Sequence, residues 1–265
     1  MEILHIHHNK FEAKISLKGA QILSFIPKGK SDIFWCCDEE FWSDVKPIRG
    51  GVPICWPWFG VKNGVSHGFA RDLNWTLNSQ IEDTNGIKLE FVLSQCEFSR
   101  ALWDFDFEAK ITFVLNDNCE IWFETNSKEA TQIALHSYFR VDDVRDIEIR
   151  GLGDMYIDKL QNNTICQTKN TKKTLTNAND SIYTYPEKET EIINRKTSQK
   201  LTITHVGHND VVLWNPWEDG EKNLKELKSG DFKNFVCVET ACVGRDFFGK
   251  IGVKISQNTI SNEVK

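Results

Sequence analysis

One carboxylate in the sequence stands alone in apolar surroundings. Glu239 is the only charged residue of the nine in FVCVETACV, residues 235–243. In a strand it shares a face with Cys237 and Ala241, and loss of water around the charged form raises a carboxyl pKa. A desolvated carboxylate of this kind is a general-base candidate. A Glu at a bulge or sheet edge that points to water is the alternative.

A histidine occupies a second strand-like segment, ALHSYFRV, residues 134–141. Alternation places Leu135 and Phe139 on one face and His136 and Tyr138 on the other. His136 therefore points into whatever the second face covers. A lone strand histidine is more often a structural hydrogen-bonding group than a catalyst, so this segment alone leaves both roles open.

A third segment, PIRGGVPICWPWFGVKNGVSHGFARDLNW, covers residues 47–75 and is rich in glycine, proline and aromatic residues. This composition excludes regular structure, and glycine lets backbone approach a ligand closely. Arg49 lies near the start of the segment, and His67 and Arg71 lie four residues apart near its end. The combination predicts a site for an anion and for hydroxyl groups. A packed aromatic loop with surface arginines is the alternative.

The elements that must position these residues are strands. Alternation of apolar and polar residues recurs along the chain, beginning with FEAKISL at 11–17. Turn residues at 85–86 and at 116–118 each join two alternating segments into a hairpin. Strands at this density, with turn residues between them, predict an all-β sandwich. With no linker and no repeat, residues 1–265 are predicted to form a single domain.

Two segments depart from the strand pattern. Residues 218–232, EDGEKNLKELKSGDF, predict a helix of two turns anchored by Leu224 and Leu227. Residues 159–181 are polar and poorly periodic, which predicts a long loop on one rim that could contain a short strand.

Charge and composition exclude several function classes. The net charge is −6 and no long basic run occurs, so nucleic acid is not an expected partner. The first residues lack the apolar core of a signal peptide, and no apolar run approaches the ~18 residues of a membrane span. We therefore expect a cytoplasmic protein that does not bind membranes. The eight cysteines form no C-x-x-C pair, and no clustered ligand motif predicts a metal site.

Several segments together resemble the aldose 1-epimerase superfamily, specifically its hexose-6-phosphate mutarotase branch. They occur in the family's order along most of the chain. The resemblance implies a galactose-mutarotase-like β-supersandwich, mostly antiparallel, with the site in a cleft across one sheet. The segments are PIRGGVPICWPWFG (47–60), HGFAR (67–71), LHSYFRV (135–141), GLGDMYIDK (151–159), NDSIYTYP (179–186), VVLWNPW (211–217) and FVCVETACV (235–243).

The resemblance also implies roles for individual residues. It makes His136 and Glu239 the catalytic pair, and it makes Asp180 a sugar-contacting residue. Arg49 and Arg71 would hold the phosphate or the sugar. His67 would lie in the same pocket.

Two positions depart from the family pattern. Ser66 stands where the family often has a glutamine that contacts the sugar, so this contact needs a water or is lost. Ser181 stands where an arginine is expected after the aspartate. Both departures bear on the identity of the substrate more than on the chemistry.

The expected function is interconversion of the α and β anomers of a hexose 6-phosphate, with glucose 6-phosphate as the first choice. Acid–base ring opening has no redox step, so no cofactor is expected. The expected partner is a small-molecule sugar phosphate, and the protein is expected to be a monomer. A mutarotase for a free aldose such as galactose, or a non-catalytic sugar-phosphate-binding module on the same fold, are the alternatives.

Overall fold

The computed structural model describes residues 1–259, and strands dominate it. In the first half of the chain they are β1 (Ile3–His8), β2 (Phe11–Ser16), β3 (Gln21–Pro27), β4 (Ile54–Cys55), β5 (Val61–Lys62), β6 (Val65–Ser66), β7 (Thr76–Asp83), β8 (Gly86–Ser94), β9 (Glu108–Leu115), β10 (Cys119–Thr125) and β11 (Thr131–Leu135).

The second half of the chain continues in the same way. Its strands are β12 (Tyr138–Arg140), β13 (Ile147–Arg150), β14 (Met155–Asp158), β15 (Thr164–Gln167), β16 (Lys172–Lys173), β17 (Asn179–Tyr183), β18 (Glu189–Asn194), β19 (Gln199–Val206), β20 (Asp210–Asn215), β21 (Phe235–Phe247) and β22 (Gly249–Thr259). The helices are short: α1 (Glu97–Leu102), α2 (Trp217–Glu221) and 3-10 turns at Glu39–Phe41, Ala70–Asp72, Val144–Asp146, Lys159–Gln161 and Asp231–Asn234.

Two large antiparallel sheets form the sandwich, which confirms the predicted fold class. The nine-stranded sheet has the order β16-β13-β18-β19-β22-β10-β9-β8-β7. The eight-stranded sheet has the order β15-β14-β17-β20-β21-β11-β4, with β12 paired to β21. A three-stranded sheet of β1 to β3 and the β5–β6 hairpin complete the described strands. Both predicted hairpins form, as β7–β8 and β9–β10.

Strand β21 is buried on both faces, and this determines what its residues can do. Val236 and Val238 belong to the main core between the sheets, whereas Phe235 and Cys237 pack in a separate cluster on the opposite face. Since side chains alternate along a strand, Glu239 lies on the opposite face and not in the main core. That second face carries the candidate site.

The predicted helix over 218–232 is wrong in its extent. Helix α2 ends at Glu221, and Leu224 and Leu227 lie in turns beyond it. The buried carboxylate of Glu221 accepts hydrogen bonds from the backbone N–H groups of Gly230 (2.9 Å) and Phe232 (2.8 Å). These bonds fold the segment back on itself, so the helix cannot continue.

The segment 159–181 is more regular than predicted. It contains β15 and β16 and the start of β17, where the sequence suggested a loop with at most a short strand. Asn162 and Asn163 both adopt positive φ angles, 54° and 60°, a conformation that asparagine tolerates better than most residues. They make the tight turn that lets β15 pair with β14.

Residues 47–75 are mostly irregular, as predicted, and their path depends on a close backbone contact. Gly68 has a φ of 69°, and a Cβ atom there would lie 2.0 Å from the carbonyl oxygen of Trp56. Only glycine therefore fits at this position. The neighbouring His67 is forced to a φ of 62°, which is unusual for a residue with a side chain.

No helix within residues 1–259 is long and apolar enough to span a membrane. In the same range, no group of three His, Cys, Asp or Glu side chains is placed to hold a metal ion. The prediction of a single domain over 1–265 stays a prediction, and residues 260–265 lie outside the described part of the chain.

A buried histidine joins the two sheets directly behind the candidate site. His205 on β19 lies within hydrogen-bond distance of Thr240 Oγ1 on β21 (2.8 Å) and of Thr190 Oγ1 on β18 (3.0 Å). Burial, with a smaller contribution from His208, lowers the pKa of His205 to about 3. The imidazole is therefore neutral in the folded protein at every pH near neutrality.

This burial predicts a specific acid sensitivity. An unfolded histidine titrates near ~6.5, so His205 contributes stability that is present above that pH and is lost as the pH falls toward 3. His205→Gln keeps a polar bridge without the titration. Between pH 6.5 and 5 its unfolding free energy, measured by urea denaturation, should fall less steeply than that of the wild type, by up to about 1.4 kcal/mol per pH unit. Equal slopes for the two proteins would contradict the prediction.

Candidate active site

A single cavity on the outer face of the eight-stranded sheet brings together all of the residues predicted for the site. The seven that line it are Arg49, Ser66, His67, Arg71, His136, Asp180 and Glu239. Residues from four separate parts of the chain thus converge there. Five further residues line the same cavity: Phe59, Tyr138, Lys159, Val212 and Trp214.

His136 and Glu239 face each other at the cavity wall. His136 Nε2 lies 3.3 Å from Glu239 Oε1, and the two side chains are 12% and 1% exposed. Among residues 1–259, neither His136 Nδ1 nor Glu239 Oε2 has a hydrogen-bond partner, although both atoms are buried. Buried polar atoms are rarely left unpaired in folded proteins, so each of these two atoms retains hydrogen-bonding capacity that the described chain does not use.

The backbone holds His136 in a break between two strands. Strand β11 ends at Leu135 and β12 begins at Tyr138, so the continuous strand expected over this segment is interrupted. The N–H of His136 donates to Pro53 O (3.0 Å) instead of to a neighbouring strand. The predicted side is nevertheless right, because the rings of His136 and Tyr138 stack with centroids 4.9 Å apart.

Glu239 differs from the two other carboxylates that are buried in the described chain. Asp210 Oδ2 accepts bonds from the N–H groups of Val243 and Gly244, each at 2.8 Å. Glu221 likewise binds two backbone N–H groups. Glu239 has only His136. Asp210 and Glu221 therefore hold the fold together, whereas Glu239 is left with free acceptor capacity at the cavity.

The environment moves the pKa values of the pair toward each other. Burial, followed by the charge of Asp180, raises the pKa of Glu239 well above its usual range. Burial, followed by His67, Arg71 and then Arg49, lowers the pKa of His136 well below its usual range. Free Glu and His side chains differ by about two units, ~4.3 against ~6.5. These opposite shifts weaken the preference of the pair for its charged form, in which Glu239 is ionised and His136 is protonated.

His67 is a neutral hydrogen-bond donor in this cavity. The N–H of Gly60 donates to His67 Nδ1 (3.3 Å), which leaves the proton of the neutral ring on Nε2. Burial, Arg71 and Lys159 lower the pKa of His67 to about 3. Its ring lies edge-on to His136, with centroids 6.1 Å apart.

The two predicted arginines are held in different ways. Arg49 donates from Nε to Glu226 Oε2 and from Nη1 to the Tyr138 hydroxyl, both at 3.3 Å. Arg71 donates from Nη2 to the backbone carbonyl of Ser66 at 2.8 Å, while its buried Nε has no partner in the described chain. Ser66 thus contributes its main chain to the cavity wall, and this does not depend on its short side chain.

Some cavity residues were missed or misplaced by sequence reasoning. Trp214 is not among the residues predicted for the site, yet it is half-buried at the cavity with its ring centroid 6.0 Å from that of His136. Tyr138 could have been found, since alternation puts it on the face of His136. Lys159 and Phe59 carried no signal, because one lies in a polar segment without period and the other among many loop aromatics.

The family model for aldose 1-epimerase matches residues 2–258. The chain belongs to the aldose 1-epimerase family. It is therefore an isomerase of the epimerase class. Two curated bacterial relatives carry the name "Putative glucose-6-phosphate 1-epimerase". This chain is 35% identical to the relative from Salmonella typhimurium, and the match covers 91% of this chain and 83% of the relative. It is 34% identical to the relative from Escherichia coli with the same coverage.

Solved structures agree with this assignment. The crystal structure of "a putative mutarotase" from Salmonella typhimurium superimposes with a TM-score of 0.94 at 33% identity, covering 97% of this chain and 90% of that chain. A galactose 1-epimerase from Lactobacillus acidophilus has a TM-score of 0.74 at 11% identity, covering 97% and 94%. The second likeness shows the shared fold alone.

The contrast among the buried carboxylates predicts opposite effects on stability. Glu239→Gln removes a buried, poorly paired charge and should raise the unfolding free energy of the epimerase at pH 8 by about 1 kcal/mol. Because the folded-state pKa of Glu239 is raised, the gain should grow as the pH rises above ~4.3.

Asp210→Asn is the matched control. It weakens two charge-assisted bonds to backbone and should lower the unfolding free energy by at least about 1 kcal/mol. Urea denaturation at pH 5 and pH 8 measures both variants. If Glu239→Gln destabilised the protein as Asp210→Asn does, Glu239 would be a structural residue.

Proposed function

We propose that the protein interconverts the α and β anomers of a hexose 6-phosphate, with His136 and Glu239 as the acid–base pair. The observation that carries the proposal is the 3.3 Å contact between the two side chains, with one polar atom of each left unpaired beside the cavity. The family supports mutarotase chemistry. The phosphorylated substrate is our inference from the cations of the cavity and from the names of the curated relatives.

Ring opening needs a base at the C1 hydroxyl and an acid at the ring oxygen. The Glu239 carboxylate takes the hydroxyl proton as the imidazolium of His136 gives a proton to the ring oxygen, and the C1–O5 bond breaks. The aldehyde then rotates about the C1–C2 bond. In reclosure both transfers run in reverse, with Glu239 returning a proton to O1 and His136 taking one from the C5 hydroxyl.

The charge of the pair balances throughout this cycle. Before ring opening Glu239 is negative and His136 positive, and after it both are neutral, so their sum remains zero. Burial of the two side chains favours the neutral form of the pair over the charged form. The opposing pKa shifts thus reduce the preference for the charged form that free Glu and His side chains have.

The cations explain why a phosphorylated sugar fits an acidic protein. Arg49 and Arg71 both line the cavity, and a guanidinium group binds phosphate oxygens in a bidentate manner. Tyr138 receives a hydrogen bond from Arg49 and stacks on His136, so it joins the anion-binding side of the cavity to the acid. Asp180 and the Nε2–H of His67 are then available to sugar hydroxyl groups.

Loss of either member of the pair should remove catalysis. His136→Ala and Glu239→Gln should each slow the anomer exchange of glucose 6-phosphate by about 10²–10⁴-fold, as expected for positioned acid–base groups. Exchange is measured by magnetisation-transfer NMR, with the spontaneous rate subtracted. His208→Gln, which changes a histidine outside the cavity, should retain the wild-type rate. A wild-type protein that binds the sugar phosphate without accelerating exchange would instead be a binding module.

The arginines should distinguish phosphorylated from free sugar. Arg49→Ala and Arg71→Ala should each raise KM for glucose 6-phosphate by at least about tenfold, since a charge-assisted contact contributes about 1.5–3 kcal/mol. The KM for free glucose or galactose should change much less. Arg140→Ala, at an exposed arginine outside the cavity, is the matched control. Equal effects on free and phosphorylated sugars would favour a free aldose as the natural substrate.

A cytoplasmic location, a monomeric state and the absence of a cofactor remain predictions.

A further inference from the structure

Lys159 is a cation of the cavity to which the proposed chemistry assigns no role. Its Nζ lies 2.9 Å from Asp180 Oδ2, and the two side chains are 30% and 21% exposed. The same ammonium group stands 5.5 Å from the centre of the Phe59 ring. The contacts with Asp180 and Phe59 thus hold the ammonium group of Lys159 at the cavity rim.

The sheet explains how a residue from the polar segment reaches this position. Strand β14 pairs with β17, and Asp158 lies opposite Ser181. Lys159 follows directly, at the start of a 3-10 turn in which the Asp158 side chain accepts a hydrogen bond from the N–H of Leu160. This places the lysine beside Asp180, whose side chain alternates onto the cavity face while that of Ser181 is buried on the other.

The carboxylates of Asp180 and Glu239 repel each other when both are ionised, unless a nearby cation offsets the charge of one of them. They share one face of the sheet, and only β20 separates their strands, because β20 pairs with β17 on one side and with β21 on the other. Asp180 lies in register with Trp214 and Cys237, two residues along β21 from Glu239, so the two residues are about 12 Å apart across and along the sheet. At this distance two unit charges still interact, and Asp180 raises the pKa of Glu239.

We propose that Lys159 is a positioning residue that holds the Asp180 carboxylate on the cavity wall and offsets its charge next to Glu239. The inference rests on the proposed function, in which Glu239 must be ionised to act as a base. Lys159 thereby allows two carboxylates in one cavity to be ionised, Asp180 for binding the sugar and Glu239 for taking its proton.

The other titratable groups around Glu239 do not offset the charge of Asp180. The thiols of Cys55 and Cys237 and the phenol of Tyr138 face Glu239, but burial raises the pKa of each, so they are neutral. Among the charged groups, Asp180 raises the pKa of Glu239 while Lys159 and Arg71 lower it. His136 is the reaction partner. Arg71 is bonded to Ser66 O, whereas Lys159 alone is paired with Asp180.

The ion pair is still partly accessible to water, which screens the two charges and limits what the pair adds to stability. A structural role therefore predicts little change when Lys159 is replaced. The proposed role predicts a change in the pH dependence of the chemistry, which separates the two.

The test compares Lys159→Met with Lys159→Arg and with the control Lys62→Met. Lys62 is an exposed lysine on the β5–β6 hairpin that stands over Trp58 and does not contact Asp180. The kcat/KM for anomer exchange of glucose 6-phosphate is measured from pH 5 to pH 9. In Lys159→Met the acid limb should move to higher pH, with about tenfold more loss of kcat/KM at pH 6 than at pH 8. Lys159→Arg and Lys62→Met should keep the wild-type limb.

A double variant and a direct titration complete the test. Lys159→Met with Asp180→Asn removes both charges, so the acid limb should return to its wild-type position although kcat/KM remains low. The carboxyl carbon of Glu239, assigned by its absence in Glu239→Gln, is followed by 13C NMR in the same four variants and the wild type. It should titrate at higher pH in Lys159→Met and return in the double variant.

The two readouts separate the proposals. A wild-type protein that does not accelerate exchange would overturn the proposed function, while the NMR titration would still decide the effect of Lys159 on Glu239. An unchanged Glu239 titration in Lys159→Met, or an equal change in Lys62→Met, would overturn the role of Lys159. A rise in KM with an unmoved acid limb would make Lys159 a substrate contact and would likewise overturn it.

Discussion

The burial of one incompletely bonded carboxylate, Glu239, is the constraint on which the rest of the site depends. An ionised group in an apolar wall is costly unless charges and hydrogen bonds compensate it. Here the compensation is partial and is spread over separate elements: His136 at 3.3 Å, and the positive charges of Lys159 and of Arg71. The cavity is therefore a cluster of charges in which each group depends on the others for its protonation state.

The sandwich supplies the rigidity that such a cluster needs. Strand β21 carries Glu239 toward the cavity and Thr240 toward the other sheet, where His205 binds it. Because side chains alternate along a strand, a contact between the sheets at Thr240 also constrains the neighbouring Glu239 on the cavity face. The strands fix the positions of Glu239 and Asp180 on the sheet. The irregular segment 47–75 contributes Arg49, His67 and Arg71 to the wall of the same cavity.

Much of this could be predicted from the sequence, and what could not has physical causes. Glu239 was recognisable because a charge among apolar strand residues has few structural uses. His136 was placed on the right side by alternation, although the strand breaks beside it. Trp214 was not recognisable, because an indole looks the same in sequence whether it packs in the core or lines a cavity. Lys159 reaches Asp180 only through the pairing of β14 with β17, and nothing local in the sequence specifies that pairing.

The contact between Gly68 and the Trp56 carbonyl restricts substitutions in one part of the cavity wall but not in the part formed by the β5–β6 hairpin. Where main chain lies against main chain, no side chain can be introduced, so position 68, next to His67, accepts only glycine. The β5–β6 hairpin beside it is exposed and offers its backbone at Ser66 to Arg71. Side chains of different size can therefore be introduced on this exposed rim without a clash between backbones, which the position of Gly68 does not allow.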